Sequence, residues 1–252
     1  RISQPEPDEL LLTVKAARET YKLLLSANAG LPLAYFTENS FANPAVAPNF
    51  CMLLRKHIGN GRILGVSQPG MERILDFEIE HLDEMGDKQK KHLIVELMGK
   101  HSNIIFCEEG GRILDAIKHV SAQISSVREV LPGRTWFIPD TMHKKNPLAC
   151  SEEEIKDLLS SCPRPAHKAL YTCFTGISPL IAEEVLFCCG LDGSVPCQEL
   201  DGLSLTHLAH TFALLLEDVK SCHFSPSVYY REGTPAEFSA LPLSSLPESE
   251  CI

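Results

Sequence analysis

The hydrophobic period of this sequence changes near residue 140, and that change limits the folds open to the chain. Before it, apolar residues recur at every second position in short runs, as at Leu75, Phe77 and Ile79, which alternate with acids. Such alternation is typical of half-buried antiparallel strands. After Pro139 the apolar spacing becomes helical, and Ser151 followed by three glutamates predicts a capped helix start. A run of strands followed by a run of helices predicts an α+β fold.

The predicted elements give the chain three segments. Strand patterns occur at residues 10–14, 21–25, 33–36, 62–66, 74–80, 92–98, 103–106 and 113–120. A helix interrupts them, with Asn49 expected as its cap and Gly59 expected to end it in a left-handed conformation. Further helices are predicted at 152–159, 165–174, 179–189 and 204–220. We therefore predict a β-rich domain at 1–145, a helical module at 146–225, and a final segment at 226–252 that is a tail or a strand returning to the first domain.

Composition and cysteine usage narrow the functional classes. The 252 residues are 44% hydrophobic and 22% charged, which is ordinary for a globular protein. No apolar run approaches the roughly 18 residues that cross a bilayer, and no secretory pattern opens the chain, so we expect a cytoplasmic protein with no membrane partner. Ten cysteines without zinc-ligand spacing predict mostly free thiols and no metal. A start at Arg1 rather than methionine suggests a longer parent protein.

Charge is distributed unevenly along the chain. The net charge is -10, but residues 1–145 hold 18 Lys/Arg and 18 Asp/Glu, whereas residues 146–252 hold 5 and 15. A neutral part with clustered cations can bind nucleic acid on one face. Arg55, Lys56 and Lys118 are predicted backbone contacts of this kind, and the alternative is an ordinary solvated surface.

Arg73 differs from the other cations of the first part. It follows a turn at Gly70 and precedes a buried strand, and Glu72 beside it is expected to orient the guanidinium as a planar donor for phosphate or a base edge. An ordinary surface pair is the alternative. Lys100 and His101 fall in the loop of a predicted hairpin and offer a second pair of basic groups.

A helix start in the second part is the remaining candidate. Gly176 is followed by Ser178 as a predicted cap and by Pro179, a combination that presents backbone N–H groups to a phosphate, as in helix-hairpin-helix elements. Any helix can begin this way, and Glu183 and Glu184 oppose an anion. Motifs for a nucleophilic serine, a nucleotide-binding loop or a zinc protease are absent from the sequence, so no catalytic constellation is predicted.

With these residues identified, the sequence resembles the NFACT N-terminal domain of the RqcH/NEMF family, whose bacterial members are also described as fibronectin-binding protein A-like. The strings that carry the resemblance are KLLLSA (22–27), FCMLLRKHI (50–58), QPGMERI (68–74), VELMGKHSNII (95–105), LDAIKH (114–119), SVREVLPG (126–133) and GISP (176–179). They cover nearly the whole chain except its final segment.

The resemblance implies a fold and a function. The fold is a β-sandwich with flanking helices, similar to the N-terminal domain of formamidopyrimidine-DNA glycosylases, followed by a helix-hairpin-helix-like module. The function is ribosome-associated quality control: binding the obstructed large ribosomal subunit with its peptidyl-tRNA and recruiting tRNA, alanine tRNA in bacteria, for template-free C-terminal tailing. The ribosome performs the peptide transfer, so the resemblance implies a non-enzymatic, RNA-binding protein without cofactors.

The same resemblance assigns the tRNA-binding residues. The family's Asp-Arg pair falls on Glu72 and Arg73, where the acid is one methylene longer, and the family's basic loop falls on Lys100 and His101. Two alternatives stay open: a surface adhesin that binds fibronectin or fibrinogen, and a nucleic-acid binder similar to DNA glycosylases.

Overall fold

The computed structural model describes residues 1–140, 143–246 and 249–251 of the chain. The chain divides into two compact units, Arg1–Pro139 and Asp140–Ile252. The first is rich in strands and the second in helices, which confirms the predicted α+β class. The predicted boundaries at residues 145 and 225, the glycosylase likeness and the helix-hairpin-helix likeness stay predictions.

The first unit consists of two antiparallel sheets and a helix. In chain order its elements are β1 (Ile2–Ser3), β2 (Glu9–Ala16), β3 (Glu19–Ser26), β4 (Leu33–Phe36), α1 (Asn49–Ile58), β5 (Arg62–Ser67), β6 (Ile74–Leu82), β7 (Lys88–Glu96), β8 (Asn103–Glu108) and β9 (Ile113–Ala116). The sheets have the orders β1-β2-β3-β4 and β5-β6-β7-β8-β9. Every sequential pair of strands in both sheets is antiparallel, as the alternating pattern predicts.

Both sheets contribute to one hydrophobic core. Leu25 of β3, Leu54 of α1, and Leu93 and Phe106 of the larger sheet are fully buried within it. Burying each of these side chains contributes about 1.5–3 kcal/mol. The opposite face of the larger sheet is covered by a second cluster, which includes Val130 and is joined by the partly buried Trp136. Strands β6 to β8 therefore contribute to a hydrophobic cluster on each face, whereas β5 is exposed along most of its length.

The ends of α1 differ from the sequence-based expectation. Asn49 is the first helical residue rather than the cap; Pro48 holds the cap position, and no side chain caps the helix. Gly59 ends the helix with φ -57°, not in the left-handed region. A Cβ at this position would clash with the carbonyl oxygen of Arg55, so glycine is required by this close approach and not by a positive φ.

The second unit contains α2 (Glu152–Ser160), α3 (Ala166–Cys173), α4 (Pro179–Cys189), α5 (Gly202–Lys220), β10 (Ser227–Arg231), β11 (Thr234–Ser239) and β12 (Ser249–Cys251). The cap predicted at Ser151 is confirmed and forms a complete capping box with Glu154. α4 has the predicted bounds. α5 begins earlier than expected because Asp201 accepts hydrogen bonds from the N–H groups of Leu203 and Ser204.

The final segment forms a sheet of its own, in the order β11-β10-β12. The expectation of a tail or a strand returning to the first domain stays a prediction. One contact lies within the segment, and a second joins the segment to α4. The Tyr229 hydroxyl accepts a hydrogen bond from the Leu243 N–H at 2.6 Å, and the buried carboxylate of Glu184 accepts from the N–H groups of Ser244 and Ser245 at 2.7 and 2.9 Å.

Candidate nucleic-acid interface

One end of the larger sheet gathers basic residues from three connections. Ile74 pairs with Glu96, and Glu96 pairs with Asn103, so the start of β6, the end of β7 and the start of β8 lie side by side. The end of β9 joins them, because the Ile117 N–H donates to the Ile104 carbonyl at 2.8 Å. Strands lie about 4.8 Å apart, so β6 through β9 span about 15 Å. We call this the basic end; its residues are Arg73, Lys100, His101 and Lys118.

Arg73 is exposed at the basic end, and its backbone is fixed. Its carbonyl accepts a hydrogen bond from the Leu97 N–H at 2.8 Å. The preceding turn is held by the Glu72 N–H, which donates to Pro69 O at 3.0 Å, and by the Gln68 side chain, which donates to Glu72 O at 2.7 Å. Within the described residues the guanidinium has no ion pair or hydrogen bond. The predicted orientation of Arg73 by Glu72 is therefore wrong for this structure, and the guanidinium is free to bind an anion.

Lys100 and His101 lie in a short 3-10 turn between β7 and β8. Gly99 enters it with φ +57°, a conformation that favours glycine. The buried Ser102 closes the turn, because its hydroxyl accepts from the Met98 N–H at 2.8 Å. Both basic side chains are exposed, and neither has a partner among the described residues.

Lys118 is more constrained than the other three. Its backbone is clamped by the buried Asn103 side chain, which donates to Lys118 O at 2.9 Å and accepts from Lys118 N at 3.1 Å. Its ammonium donates to the carbonyl of Ala27. Lys118 thus ties the two sheets of the first unit together, which leaves its charge less available to a phosphate.

Arg55 and Lys56 lie away from the basic end. Lys56 forms an ion pair with Glu84 at 3.5 Å in the turn after β6, at the opposite end of that strand from Arg73. The nine residues of β6 cover about 27 Å. Arg55 donates its Nε to the Ile2 carbonyl at 2.7 Å and so secures β1. The structure does not bring either residue together with Arg73, and their predicted nucleic-acid contacts stay predictions.

The predicted phosphate cradle in the second unit offers few donors. Gly176 has φ +78°, and Ser178 caps α4 as expected. The cap itself uses the available N–H groups, since Ile181 N donates to Ser178 Oγ at 3.2 Å and Ala182 N to Ser178 O at 3.0 Å. Pro179 has no N–H, so the first turn offers at most that of Leu180. Contacts from Gly176 and Ser178 to RNA stay predictions.

A buried ion pair beneath the basic end was missed by the sequence reasoning. Glu96, with no exposed surface, accepts from the Arg128 guanidinium and from the Trp136 indole N–H at 2.9 Å. Arg128 also donates to Phe137 O at 2.8 Å. The signal was an acid inside the apolar run at 93–97, which favours a paired buried charge over a surface residue.

The nine cysteines from Cys51 to Cys222 are free thiols, as predicted. Burial, followed by the charges of Asp76 and Glu96, raises the pKa of Cys107 to about 12, so this thiol is neutral at pH 7. No cluster of ligating side chains suited to a metal ion occurs in the part of the chain that the structure describes. Likewise, none of the helices in those residues has the length and apolar character to span a membrane.

Comparison with known proteins identifies relatives for nearly the whole chain. The family model for NFACT N-terminal and middle domains matches residues 1–251. The "Rqc2 homolog RqcH" of Bacillus subtilis is 35% identical over 229 residues, covering 90% of this chain and 38% of the relative. The protein of the same name from Streptococcus suis is 38% identical over 186 residues, covering 73% and 34%. The chain thus spans only about a third of the length of these curated relatives.

Solved structures agree with this relationship. The N-terminal part of the fibronectin/fibrinogen-binding protein from Streptococcus suis matches with a TM-score of 0.79 and 32% identity, covering 98% of this chain and 84% of that one. The fibrinogen binding protein from Staphylococcus aureus matches with a TM-score of 0.81 and 26% identity, covering 100% and 86%. Since the family model covers almost every residue, the chain belongs to the NFACT family, and its residues 1–251 correspond to the family's N-terminal and middle domains.

Proposed function

We propose that the chain acts in ribosome-associated quality control as a non-enzymatic factor that binds tRNA at the basic end of its first unit. The relatives named Rqc2 homolog RqcH support the process. The observation that supports the site is Arg73, whose exposed guanidinium has no partner in the described residues and stands on a turn fixed to β7.

The chemistry of the basic end suits an RNA backbone. A guanidinium binds a phosphate through two parallel N–H donors, which adds orientation to charge. Lys100 and His101, in the adjacent connection, supply two further donors on a rigid sheet. Contacts to phosphates position an RNA without reading its sequence. These residues therefore do not select one tRNA, and alanine tRNA is proposed only because of the family resemblance.

We expect Arg73→Ala to weaken binding of alanine tRNA by about 5- to 150-fold, because one charge-assisted bidentate contact is worth about 1–3 kcal/mol. In a plot of the logarithm of the tRNA association constant against the logarithm of the salt concentration, the magnitude of the slope should fall by about one. Affinity is measured by titrating labelled tRNA with the chain at several salt concentrations. Arg73→Lys keeps the charge but loses the planar fork, so its affinity should fall between those of the wild type and Arg73→Ala.

Arg62→Ala is the matched control. Arg62 is exposed on β5 opposite Glu80, near the end of the sheet that lies away from Arg73. Its loss should change tRNA affinity less than twofold. Equal weakening by both alanine variants would indicate a diffuse charge effect and refute the site, and the absence of tRNA binding by the wild-type chain would refute the proposed activity.

The proposal also names the large ribosomal subunit, obstructed by a peptidyl-tRNA, as partner and the cytoplasm as location. Sedimentation of a cell lysate tests both, because the protein should migrate with the large subunit.

The names of the two solved structures favour a second candidate, binding of fibronectin or fibrinogen at the cell surface. Recovery of the protein in the envelope fraction, with binding to immobilised fibrinogen, would support that candidate instead.

A further inference from the structure

A cavity of about 660 Å³ in the second unit concentrates positive charge within an acidic part of the chain. Its lining includes Lys144, Lys145, Arg164, Leu158, Tyr171 and Thr172. Residues 140–252 hold 16 Asp/Glu and only 7 Lys/Arg, and three of those seven cations line this cavity. None of the described residues that line it is acidic.

The three cations are not used in ion pairs. Within the described residues, none of Lys144, Lys145 and Arg164 forms a salt bridge, although acids outnumber bases around them more than twofold. Among the seven cations of this unit, Lys220 alone forms an ion pair in the described residues, with Glu217 at 3.9 Å, so what distinguishes the three cavity cations is that they lie together. Glu154, which is outside the lining, interacts electrostatically with Lys145. The three like charges of the lining repel each other, and an anion in the cavity would relieve that repulsion.

The backbone that carries the two lysines is fixed. Lys145 N donates to Cys173 O at 2.8 Å, and Thr175 N donates to Lys145 O at 2.9 Å. The intervening Phe174 is fully buried. The Lys144 ammonium donates to Tyr171 O at 2.7 Å, at the end of α3. The lysines are therefore placed at this wall before any ligand arrives, which lowers the entropic cost of binding.

Arg164 approaches the cavity from the turn that precedes α3. Its carbonyl accepts from Cys197 N at 3.0 Å, which fixes the turn, and its side chain is exposed with no hydrogen-bonding partner among the residues described. The Tyr171 and Thr172 side chains add polar groups, and Leu158 adds an apolar surface. A volume of this size suits a ligand of nucleotide dimensions.

We propose that this cavity binds a compact, phosphate-bearing ligand of nucleotide size. Lys145 and Arg164, whose side chains have no hydrogen-bonding partner in the described residues, suit two phosphate groups. Lys144 adds positive charge, although its ammonium donates to Tyr171 O, and the Leu158 and Tyr171 side chains suit a ring. A compact ligand is favoured over a long nucleic acid, because the strand beyond the cavity would run along a unit with nine more acids than bases. This site is separate from the basic end and does not depend on the proposed tRNA binding.

Calorimetric titration of the whole chain with ADP, GDP, pyrophosphate and adenosine tests the proposal. We expect ADP or GDP to bind, pyrophosphate to compete with them, and adenosine to bind much more weakly. Lys145→Gln and Arg164→Gln should each weaken binding about tenfold or more, whereas Lys145→Arg, which keeps the charge, should retain it. Circular dichroism spectra confirm that the variants fold.

Lys168→Gln is the matched control, since Lys168 is an exposed cation of α3 outside the cavity lining. It should leave affinity unchanged within twofold. The proposal is overturned if neither nucleotides nor pyrophosphate bind at millimolar concentration, if adenosine binds as tightly as ADP, or if Lys168→Gln weakens binding equally. A single-stranded RNA that binds more tightly than ADP and loses affinity in the same two glutamine variants would assign the cavity to a polynucleotide and overturn the compact ligand.

Discussion

Replacing Glu96 by alanine is expected to lower the free energy of unfolding of the first unit by about 3–5 kcal/mol, because it leaves a largely buried guanidinium without its counter-charge. Glu96 has no exposed surface, and the Arg128 side chain is only 13% exposed. The Trp136 indole N–H loses its acceptor in the same variant. Urea unfolding followed by tryptophan fluorescence measures the change, since Trp136 is the sole tryptophan of the chain and lies in this unit.

Glu78→Ala is the control for this prediction. Glu78 also lies on the larger sheet and pairs with Lys90 at 2.6 Å, but the side chains are 35% and 44% exposed. Exposed ion pairs contribute about 0–1 kcal/mol, so this variant should be nearly neutral. Similar destabilisation by the two variants would mean that burial does not decide the contribution of the Glu96 pair.

The sequence was most informative where a local rule determines the structure. The cap at Ser151 and the start of α4 at Pro179 are predicted correctly because caps depend on a few neighbouring residues. The alternating pattern of β6 likewise identified a strand with one face in the core. The strands were predicted individually, but nothing in the pattern reported their order in the sheet.

That order is what assembles the candidate site. Arg73 and Lys100 are 27 positions apart in the sequence and lie at the same end of the sheet because the start of β6 lies beside the end of β7. Conversely, Glu72 and Arg73 are adjacent in the sequence but form no ion pair with each other. Sequence proximity was thus a poor guide to side-chain contact at this site.

The sequence patterns did not identify two buried carboxylates, Glu96 and Glu184. From the sequence, Glu184 is interpreted as a charge that opposes anion binding at the start of α4, yet it is only 3% exposed and its charge is paired inside the unit. Its partners lie about 60 residues further along the chain, so no local pattern could reveal them. The acidic net charge of the second part therefore overstates the negative charge that faces solvent near α4.

The stability of the second unit should depend on Glu184. Its carboxylate accepts hydrogen bonds from the Ser244 N–H at 2.7 Å, the Ser245 N–H at 2.9 Å and the Ser245 hydroxyl at 2.6 Å. Glu184→Gln replaces one acceptor oxygen with a donor and removes the charge, so we expect a loss of about 3 kcal/mol, equal to two charge-assisted bonds at about 1.5 kcal/mol each. Helical circular dichroism during urea unfolding measures it.

The effect of Glu184→Gln should also depend on pH. Burial alone would raise the pKa of Glu184, but the hydrogen bonds from Ser245 and Ser244 outweigh burial and hold the pKa below its ordinary value of 4.5. A lowered pKa in the folded state means that the stabilisation is complete above pH 4.5 and is lost as the pH falls through the folded-state pKa. The difference in the free energy of unfolding between wild type and Glu184→Gln should therefore be largest at neutral pH and shrink in acid.

The exposed neighbour Glu183 provides a matched control, because Glu183→Gln should change the free energy of unfolding by less than about 0.5 kcal/mol at either pH. A difference for Glu184→Gln that persists unchanged in acid would show that the ionised carboxylate is not what holds the 244–245 segment to α4.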